Sequence, residues 1–336
     1  MAYQIAINGF GRIGRTTLRA ALRMPEVEVV AINDLTDNAT LAHLFKYDSA
    51  YGTFDGDVAV DGDVLLVDGF EIKLLSERDP AKLPWKKMDV DVVIESTGVF
   101  TDEKGASAHI IAGARSVVIS APAKDSTIAT GVIGVNQLHP TAKKRIFSNA
   151  SCTTNCITPV MAVLEESIGI SKAMMTTIHA YTADQNLQDG PHHDLRRARA
   201  AATNIVPTST GAAKVTGKIL PSLAHTFDGL AIRVPVPVGS LSDITAVMKR
   251  ATSVEEINEL FSSVADKGRF KGILAVTTDP IVSSDIVGST YSSIVDLSLT
   301  SVVDGNLVKV VAWYDNERGY SQRLIEQAVA IARQIA

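Results

Sequence analysis

The sequence has only two cysteines, Cys152 and Cys156, in 336 residues. Two thiols cannot build a disulfide framework, and they fit a reducing compartment, the cytoplasm. There is no apolar run of membrane-spanning length, so no transmembrane helix is expected. There is no excess of positive charge either. The 32 Lys and Arg stand against 37 Asp and Glu, a net charge of −5. Such a balance gives no electrostatic footprint for nucleic acid or an anionic membrane, so any anion site must be local. The opening "MAYQIAINGFGRIG" lacks a charged segment followed by an apolar one, and no secretory signal is expected. No internal repeat or low-complexity linker breaks the chain.

What is present is a globular composition, 46% hydrophobic and 21% charged, in a chain too long for one ordinary core. Two domains are expected. Residues 4–8 read as a short buried strand, 12–24 as a helix and 27–33 as a second strand, a βαβ unit. The alternating stretch 61–73 contains Asp68-Gly69, a hairpin signal. Further buried strands at 90–94 and 116–120, with a helix between them near 104–112, imply a doubly wound α/β sheet up to about residue 150. Then the pattern changes. A helix is expected at 155–167, a long strand at 172–180 and a long irregular loop over 181–211. Extended segments at 230–237, 243–250, 289–299 and 307–314, with a helix near 254–266, predict an α+β domain with a mostly antiparallel sheet. The last helix is read at 319–335. The expected division is 1–150 for a nucleotide domain and 151–315 for a catalytic domain, with 316–336 returning to the first.

Gly9, Gly11 and Gly14 form G-x-G-x-x-G between a strand and a helix, and Asp34 follows twenty residues after Gly14. Glycines let the backbone approach a pyrophosphate, a helix N-terminus offers free N–H groups, and the carboxylate accepts from a ribose hydroxyl. The competing reading is a tight turn without a ligand. Asp34 favours NAD over NADP, because a carboxylate repels a 2′-phosphate.

"SNASCTTNC" places Cys152 among small polar residues just before the expected helix. A helix N-terminus stabilises a thiolate. An ordinary thiol with a pKa near ~8.5 is only about 3% ionised at pH 7, and lowering it by ~2 units takes roughly 2.7 kcal/mol. His179, at the end of a strand, is the candidate partner. The other six histidines sit in surface-like or helical contexts, and a satisfied core histidine is the rival reading of His179. Cys156 reads as a small buried residue, since no second ligand pair with zinc spacing follows and C-x-x-C is absent. No metal site is expected. Arg196, Arg197, Arg199 and Arg233, with Thr210-Gly211, are candidates for anion binding, although a solvated arginine or a turn explains any one of them alone.

Taken together, "INGFGRIGR", "AINDLTD", "KYDSAYGTF", "ESTGVFT", "ISAPAK", "SNASCTTNC", "HAYTADQ", "DLRRARAAATNIVPTSTGAAK", "RVPVPVGS" and "WYDNERGYSQR" closely resemble the phosphorylating glyceraldehyde-3-phosphate dehydrogenases, from end to end. The resemblance implies a Cys152 nucleophile with His179 as its base. It implies Ser151, Thr153, Arg197, Thr210 and Gly211 around an attacking phosphate, with Thr182 and Arg233 around the substrate's own phosphate. For NAD it implies Arg12, Ile13, Asp34, Arg78, Ser120 and Asn316. It also implies a small-molecule substrate, inorganic phosphate and a homotetramer whose 181–211 loop meets a neighbour. Two positions depart from the pattern: Ala183 replaces an expected Asn, and Gly190 precedes Pro191 where Leu is common. The second weakens the preference for NAD. An erythrose-4-phosphate dehydrogenase shares these motifs. A cysteine hydrolase or a non-catalytic binding protein remains the alternative from another class.

Overall fold

The computed structural model describes residues 2–335. The chain divides into two compact units. One holds the described residues up to Gly131, Gln137–Ala150 and those from Ser321 onward; the other holds Val132–Asn136 and Ser151–Tyr320.

The first unit carries β1 (Tyr3–Asn8), α1 (Arg12–Ala21), β2 (Val27–Asn33), α2 (Asn38–Lys46), β3 (Val58–Asp61), β4 (Val64–Val67), β5 (Phe70–Leu75), β6 (Val92–Glu95), α3 (Glu103–Ile111), β7 (Ser116–Ile119), β8 (Ala129–Thr130) and β9 (Ile146–Ser148). These strands form one sheet in the order β3-β4-β5-β2-β1-β6-β7-β9-β8. From β5 to β8 all neighbours are parallel. All four residues of β6 and of β7 are buried, as expected of strands covered on both faces. The strand order reverses between β1 and β6. That crevice, at the carboxyl ends of parallel strands, is where such sheets bind ligands. The β4–β5 hairpin turns on Asp68 (φ 48°) and Gly69 (φ 84°), both in the left-handed region that a two-residue primed turn needs. The sequence reading did not recognise α2; Asp37 caps it by accepting from Thr40 N–H at 2.9 Å.

The second unit carries α4 (Cys152–Ser167), β10 (Ile170–Ala180), β11 (Val206–Ser209), α5 (Ala212–Ile219), β12 (Phe227–Val234), β13 (Ser240–Met248), α6 (Val254–Val264), β14 (Leu274–Thr277), β15 (Ser293–Asp296), β16 (Ser301–Val303) and β17 (Leu307–Tyr314). The closing helix α7 (Arg318–Ile335) starts in this unit's range and is counted with the first from Ser321. The sheet runs β11-β12-β10-β13-β17-β15-β14, with β16 on β17. Only β10–β12 and β14–β15 are parallel, so it is mostly antiparallel. Helix α4 is buried from Thr153 to Leu164 and packs on the sheet in one apolar cluster with Met175, Ile244 and Val310. A helix buried all round is a core helix, which makes its first turn a rigid platform.

Two boundaries correct the sequence reading. Helix α4 begins at Cys152, not Asn155, because Ser151 caps it: the hydroxyl accepts from Thr154 N–H at 3.1 Å. The irregular loop ends at residue 205. Val206–Ser209 pairs with β12 as a strand, and α5, unread in the sequence, follows with Gly211 as its N-cap.

Candidate active site

The first unit has a cavity of about 400 Å³ lined by Asn8, Gly9, Gly11, Asp34, Arg78 and Thr97, among others. Gly9 takes φ 94°, and a Cβ there would stand 2.7 Å from Thr97 N. At Gly14 a Cβ would stand 2.2 Å from Gly9 O, so that glycine serves strand–helix packing. A Cβ at Gly11 would meet nothing within 4 Å, which leaves the approach to the backbone open. No side chain caps the start of α1. Asp34 accepts from Phe10 N–H at 2.8 Å and Thr36 N–H at 2.9 Å, which fixes its carboxylate at the cavity wall. These features fit a dinucleotide: an open backbone turn and helix N-terminus for its phosphates and a held carboxylate for a ribose. Arg12, Ile13, Gly14 and Ser120 do not line the cavity. Arg12 pairs with Asp48 at 2.6 Å, and Ser120 N–H donates to Glu95 O at 2.9 Å. Asn316 lies in the second unit, ahead of α7. Its side-chain oxygen accepts from Gly239 N–H at 3.1 Å and the Ser240 hydroxyl at 2.9 Å.

The second unit brings Cys152, His179 and Arg233 together. Alternation along β10 turns Met175, Thr177 and His179 to its buried side, and the parallel register sets His179 opposite Arg233 on β12. Cys152 Sγ lies 3.4 Å from His179 Nε2. On the other ring nitrogen, Nδ1 is 2.6 Å from Ala180 O, a contact that requires a proton between them. Arg233 NH1, which can only donate, reaches that same carbonyl at 3.1 Å and Thr182 Oγ1 at 3.3 Å. Arg233 NH1 also lies 3.0 Å from Nδ1, but the shorter contact with Ala180 O places the ring proton on Nδ1, and Nε2 faces the thiol as an acceptor. Arg233 Nε, also buried, has no hydrogen-bond partner among the described residues.

The charges around the thiol correct one expectation. Burial pushes the Cys152 thiol up rather than down, with the Arg233 guanidinium opposing it first. Cys152 keeps part of its surface open, so burial counts for less there than at Cys156, whose fully buried thiol is pushed up to about 12. Burial, then Arg233, holds the His179 imidazole down to about 3. At neutral pH the ring is thus uncharged, with an acceptor nitrogen toward the thiol that is able to take a proton.

Residues 3–103 match the description "Glyceraldehyde 3-phosphate dehydrogenase, NAD binding domain", and residues 151–316 match the C-terminal domain of the same enzyme. The chain is 54% identical to the glyceraldehyde-3-phosphate dehydrogenase of Mycobacterium avium and 52% to that of Streptomyces coelicolor, each over the whole of both chains. It is 53% identical to that of Geobacillus stearothermophilus over 99% of both. The chain belongs to the glyceraldehyde-3-phosphate dehydrogenase family.

The family's other expected residues fall into two groups. Thr182 Oγ1 accepts from Arg233 NH1, which also lies 3.0 Å from His179 Nδ1. Ser151 and Thr153 flank the thiol in sequence but have partners of their own: Ser151 caps α4, and the Thr153 hydroxyl bonds Tyr314 OH at 2.9 Å. Arg197 donates to Thr208 Oγ1 at 2.9 Å and pairs with Asp184, and its charge also acts on His179. Thr210 accepts from Ala212 N–H at 3.2 Å and so helps start α5 behind Gly211. No hydrogen bond joins Arg197, Thr210 or Gly211 to Cys152.

Sequence reasoning missed Tyr314 in this family site. Its ring meets His179 edge-on with centroids 5.9 Å apart, and its hydroxyl bridges Thr153 and Thr177, the latter at 2.8 Å. The residue ends an apolar strand and looked like core; only the pairing of β17 with β13 places it here.

Proposed function

We propose that this chain, an NAD-dependent enzyme, converts D-glyceraldehyde 3-phosphate, NAD and inorganic phosphate to 1,3-bisphosphoglycerate. The observation that carries the reading is the 3.4 Å approach of Cys152 Sγ to an acceptor nitrogen of His179, with Arg233 beside it. The sulfur adds to the aldehyde carbon while the thiol proton passes through His179 Nε2 to the carbonyl oxygen, giving a hemithioacetal. Thr182 and Arg233 hold the substrate's phosphate, so the carbon stays in line with the sulfur. His179 next takes the hydroxyl proton. Bound NAD supplies the hydride acceptor. The carbon, now a thioester, keeps the oxidation energy until phosphate displaces the sulfur. Ser151, Thr153, Arg197, Thr210 and Gly211 are the residues proposed to hold that phosphate. Arg197 must then exchange its hold on Asp184 for the anion.

The dinucleotide is assigned to Gly9, Gly11, Arg12, Ile13, Gly14, Asp34, Arg78, Ser120 and Asn316, with Asp34 selecting NAD over NADP. For Gly9, Gly11, Asp34 and Arg78 the assignment rests on the cavity they line. The chain is proposed to act in glycolysis, in the cytoplasm, as a homotetramer. Free thiols at Cys152 and Cys156 accord with a reducing compartment. Met174 and Leu230 are exposed on adjacent strands, and Leu187, Leu195 and Ile205 on the 181–205 loop, which accords with surfaces covered by other copies. Among the described residues no helix is long and apolar enough to cross a membrane, and no cluster of three or more His, Cys, Asp or Glu could hold a metal.

The test is NADH absorbance with aldehyde and NAD, with and without phosphate. Sustained turnover should require phosphate; without it, one NADH per site should appear before the thioester stalls. Continuous phosphate-independent turnover would point to hydrolysis instead. Running erythrose 4-phosphate alongside distinguishes the sister activity.

A further inference from the structure

Behind the cavity of the first unit runs a buried polar chain centred on Glu95. At the end of β6, Glu95 Oε2 lies 2.6 Å from Asn8 Nδ2 and 3.0 Å from His109 Nε2. Its Oε1 accepts from Thr97 N–H at 2.9 Å and from the Thr97 hydroxyl. Asn8 Oδ1 accepts from Asn33 Nδ2 at 2.7 Å. Asn33 in turn grips one backbone residue from both sides, accepting from Glu77 N–H at 2.8 Å and donating to Glu77 O at 2.9 Å. On the far side Trp85 Nε1 donates to His109 Nδ1 at 3.0 Å. Trp85, His109, Glu95 and Asn8 are at most 1% exposed.

The two ends fix every direction between them. An indole N–H only donates, so His109 Nδ1 accepts and Nε2 carries the ring proton toward Glu95. The backbone N–H of Glu77 only donates, so Asn33 turns its oxygen there and its NH₂ to Asn8. Asn8 must then turn its own NH₂ to Glu95. Four donors thus converge on two oxygens that only accept. A buried network satisfied in this way holds one arrangement, because any flip strands a polar group away from water.

Its members stand where the cavity is built. Asn8, Asn33 and Glu95 end β1, β2 and β6, the strands on either side of the order reversal. Asn8, Asn33, Glu77 and Thr97 line the cavity, whereas Glu95, His109 and Trp85 do not. Asn33 immediately precedes Asp34, and Glu77 immediately precedes Arg78. We propose that Glu95 is a positioning residue for the dinucleotide: braced by His109 and Trp85, it sets Asn8, Asn33 and the Thr97 turn, and through them the placement of Asp34 and Arg78. The inference rests on the reading of this cavity as the NAD site.

Glu95→Gln keeps the shape but exchanges one acceptor for a donor, so two of the four donors meet an NH₂ group; with that group toward Thr97 the hydroxyl can turn to accept, which leaves the Thr97 N–H stranded. NAD titration of the full chain by fluorescence should show Kd rising about tenfold, the cost of one stranded buried group. The KM for NAD should rise in step, while kcat at saturating NAD and the KM for aldehyde stay close to wild type. A merely structural role would lower the melting temperature and leave Kd for NAD unchanged, and that outcome overturns the proposal. If Glu95→Gln does not fold, the His109 variants decide. His109→Gln can still donate to Glu95 and accept from Trp85; His109→Leu can do neither. The Leu variant should bind NAD about tenfold more weakly than the Gln variant, and equal affinities overturn the proposal. A wild-type chain that failed to bind NAD would instead overturn the cofactor reading beneath it.

Discussion

Replacing His179 by Asn removes the acceptor that faces the Cys152 sulfur and should leave the thiol harder to ionise. The size follows from the geometry. At the 3.4 Å between Sγ and Nε2, a thiolate and an imidazolium attract by about 5 kcal/mol at an effective dielectric near 20, equivalent to about 3.6 pKa units. That is the upper bound, reached if the proton rests fully on the ring. The hydrogen bond from the thiol to the neutral ring works the other way, because it holds the proton on the sulfur, and it offsets about 1.4 kcal/mol, or about one unit, of that gain. Burial raises the thiol in both proteins, while Arg233 and the N-terminus of α4 oppose it in both, so these effects largely cancel in the comparison. The midpoint of the pH–rate curve for iodoacetamide alkylation should therefore move up in His179→Asn, by at most about 2.6 units. Because the iodoacetamide reaction needs neither cofactor nor substrate, it isolates the pair. A midpoint that did not move would mean that Arg233 and the helix terminus alone tune the sulfur, leaving His179 only the later proton transfer.

Arg233→Lys keeps the charge but loses the planar fork of donors, so kcat/KM for glyceraldehyde 3-phosphate should fall about 100-fold and that for unphosphorylated glyceraldehyde much less; equal falls would place Arg233 in the support of His179 rather than on phosphate. Asp34→Gly should weaken NAD and admit NADP poorly, measured as the ratio of their kcat/KM values; NADP use as low as in wild type would show that shape, not charge, excludes it. Cys156, buried and bonded to Ser293, should resist iodoacetamide in the native chain, giving one label per chain before denaturation and two after. Its folded value is raised, so its contribution to stability is complete below about pH 9 and fades as pH climbs toward 12, amounting to about 1.4 kcal/mol lost by pH 10. Cys156→Ala should flatten that part of the urea-midpoint profile, and an identical slope would deny the thiol any share in alkaline unfolding.

The parallel half of the fold was legible because its strands leave a strong mark. Val92-Val93-Ile94 and Val117-Val118-Ile119 are unbroken apolar runs, and buried parallel strands require them. Two short helices, α2 and α5, were not legible. In α2 apolar and polar residues alternate loosely over nine positions, so its clearest sign is the Asp37 cap, which also reads as a turn. α5 is one residue shorter and follows Thr210-Gly211, again a turn signal until the chain beyond it is seen to pack on α4, where Thr216 and Thr158 hydroxyls meet at 2.9 Å. Val206–Ser209 became a strand only by pairing with β12, a contact across more than twenty residues that no local pattern announces.

The site divides along the same line. Cys152 was readable because its chemistry depends on local sequence: small neighbours, a capping serine and a helix start. His179 and Arg233 are 54 residues apart in sequence, and nothing local joins them. The parallel register of β10 and β12 does, by setting the two side by side on one face of the sheet. Tyr314 reaches the same place from β17, two strands from β10, across an antiparallel register with β13. The tautomer of His179 follows from its 2.6 Å contact with Ala180 O, which puts the proton on Nδ1 and leaves Nε2 to the sulfur, while Arg233 NH1 donates to the same carbonyl. The sequence therefore contains the proposed reactive atom, while the acceptor that faces it is brought there by the pairing of strands. A substitution that shifted the β10–β12 register by one residue would turn His179 to the opposite face, with every residue of the catalytic pair still present in the sequence.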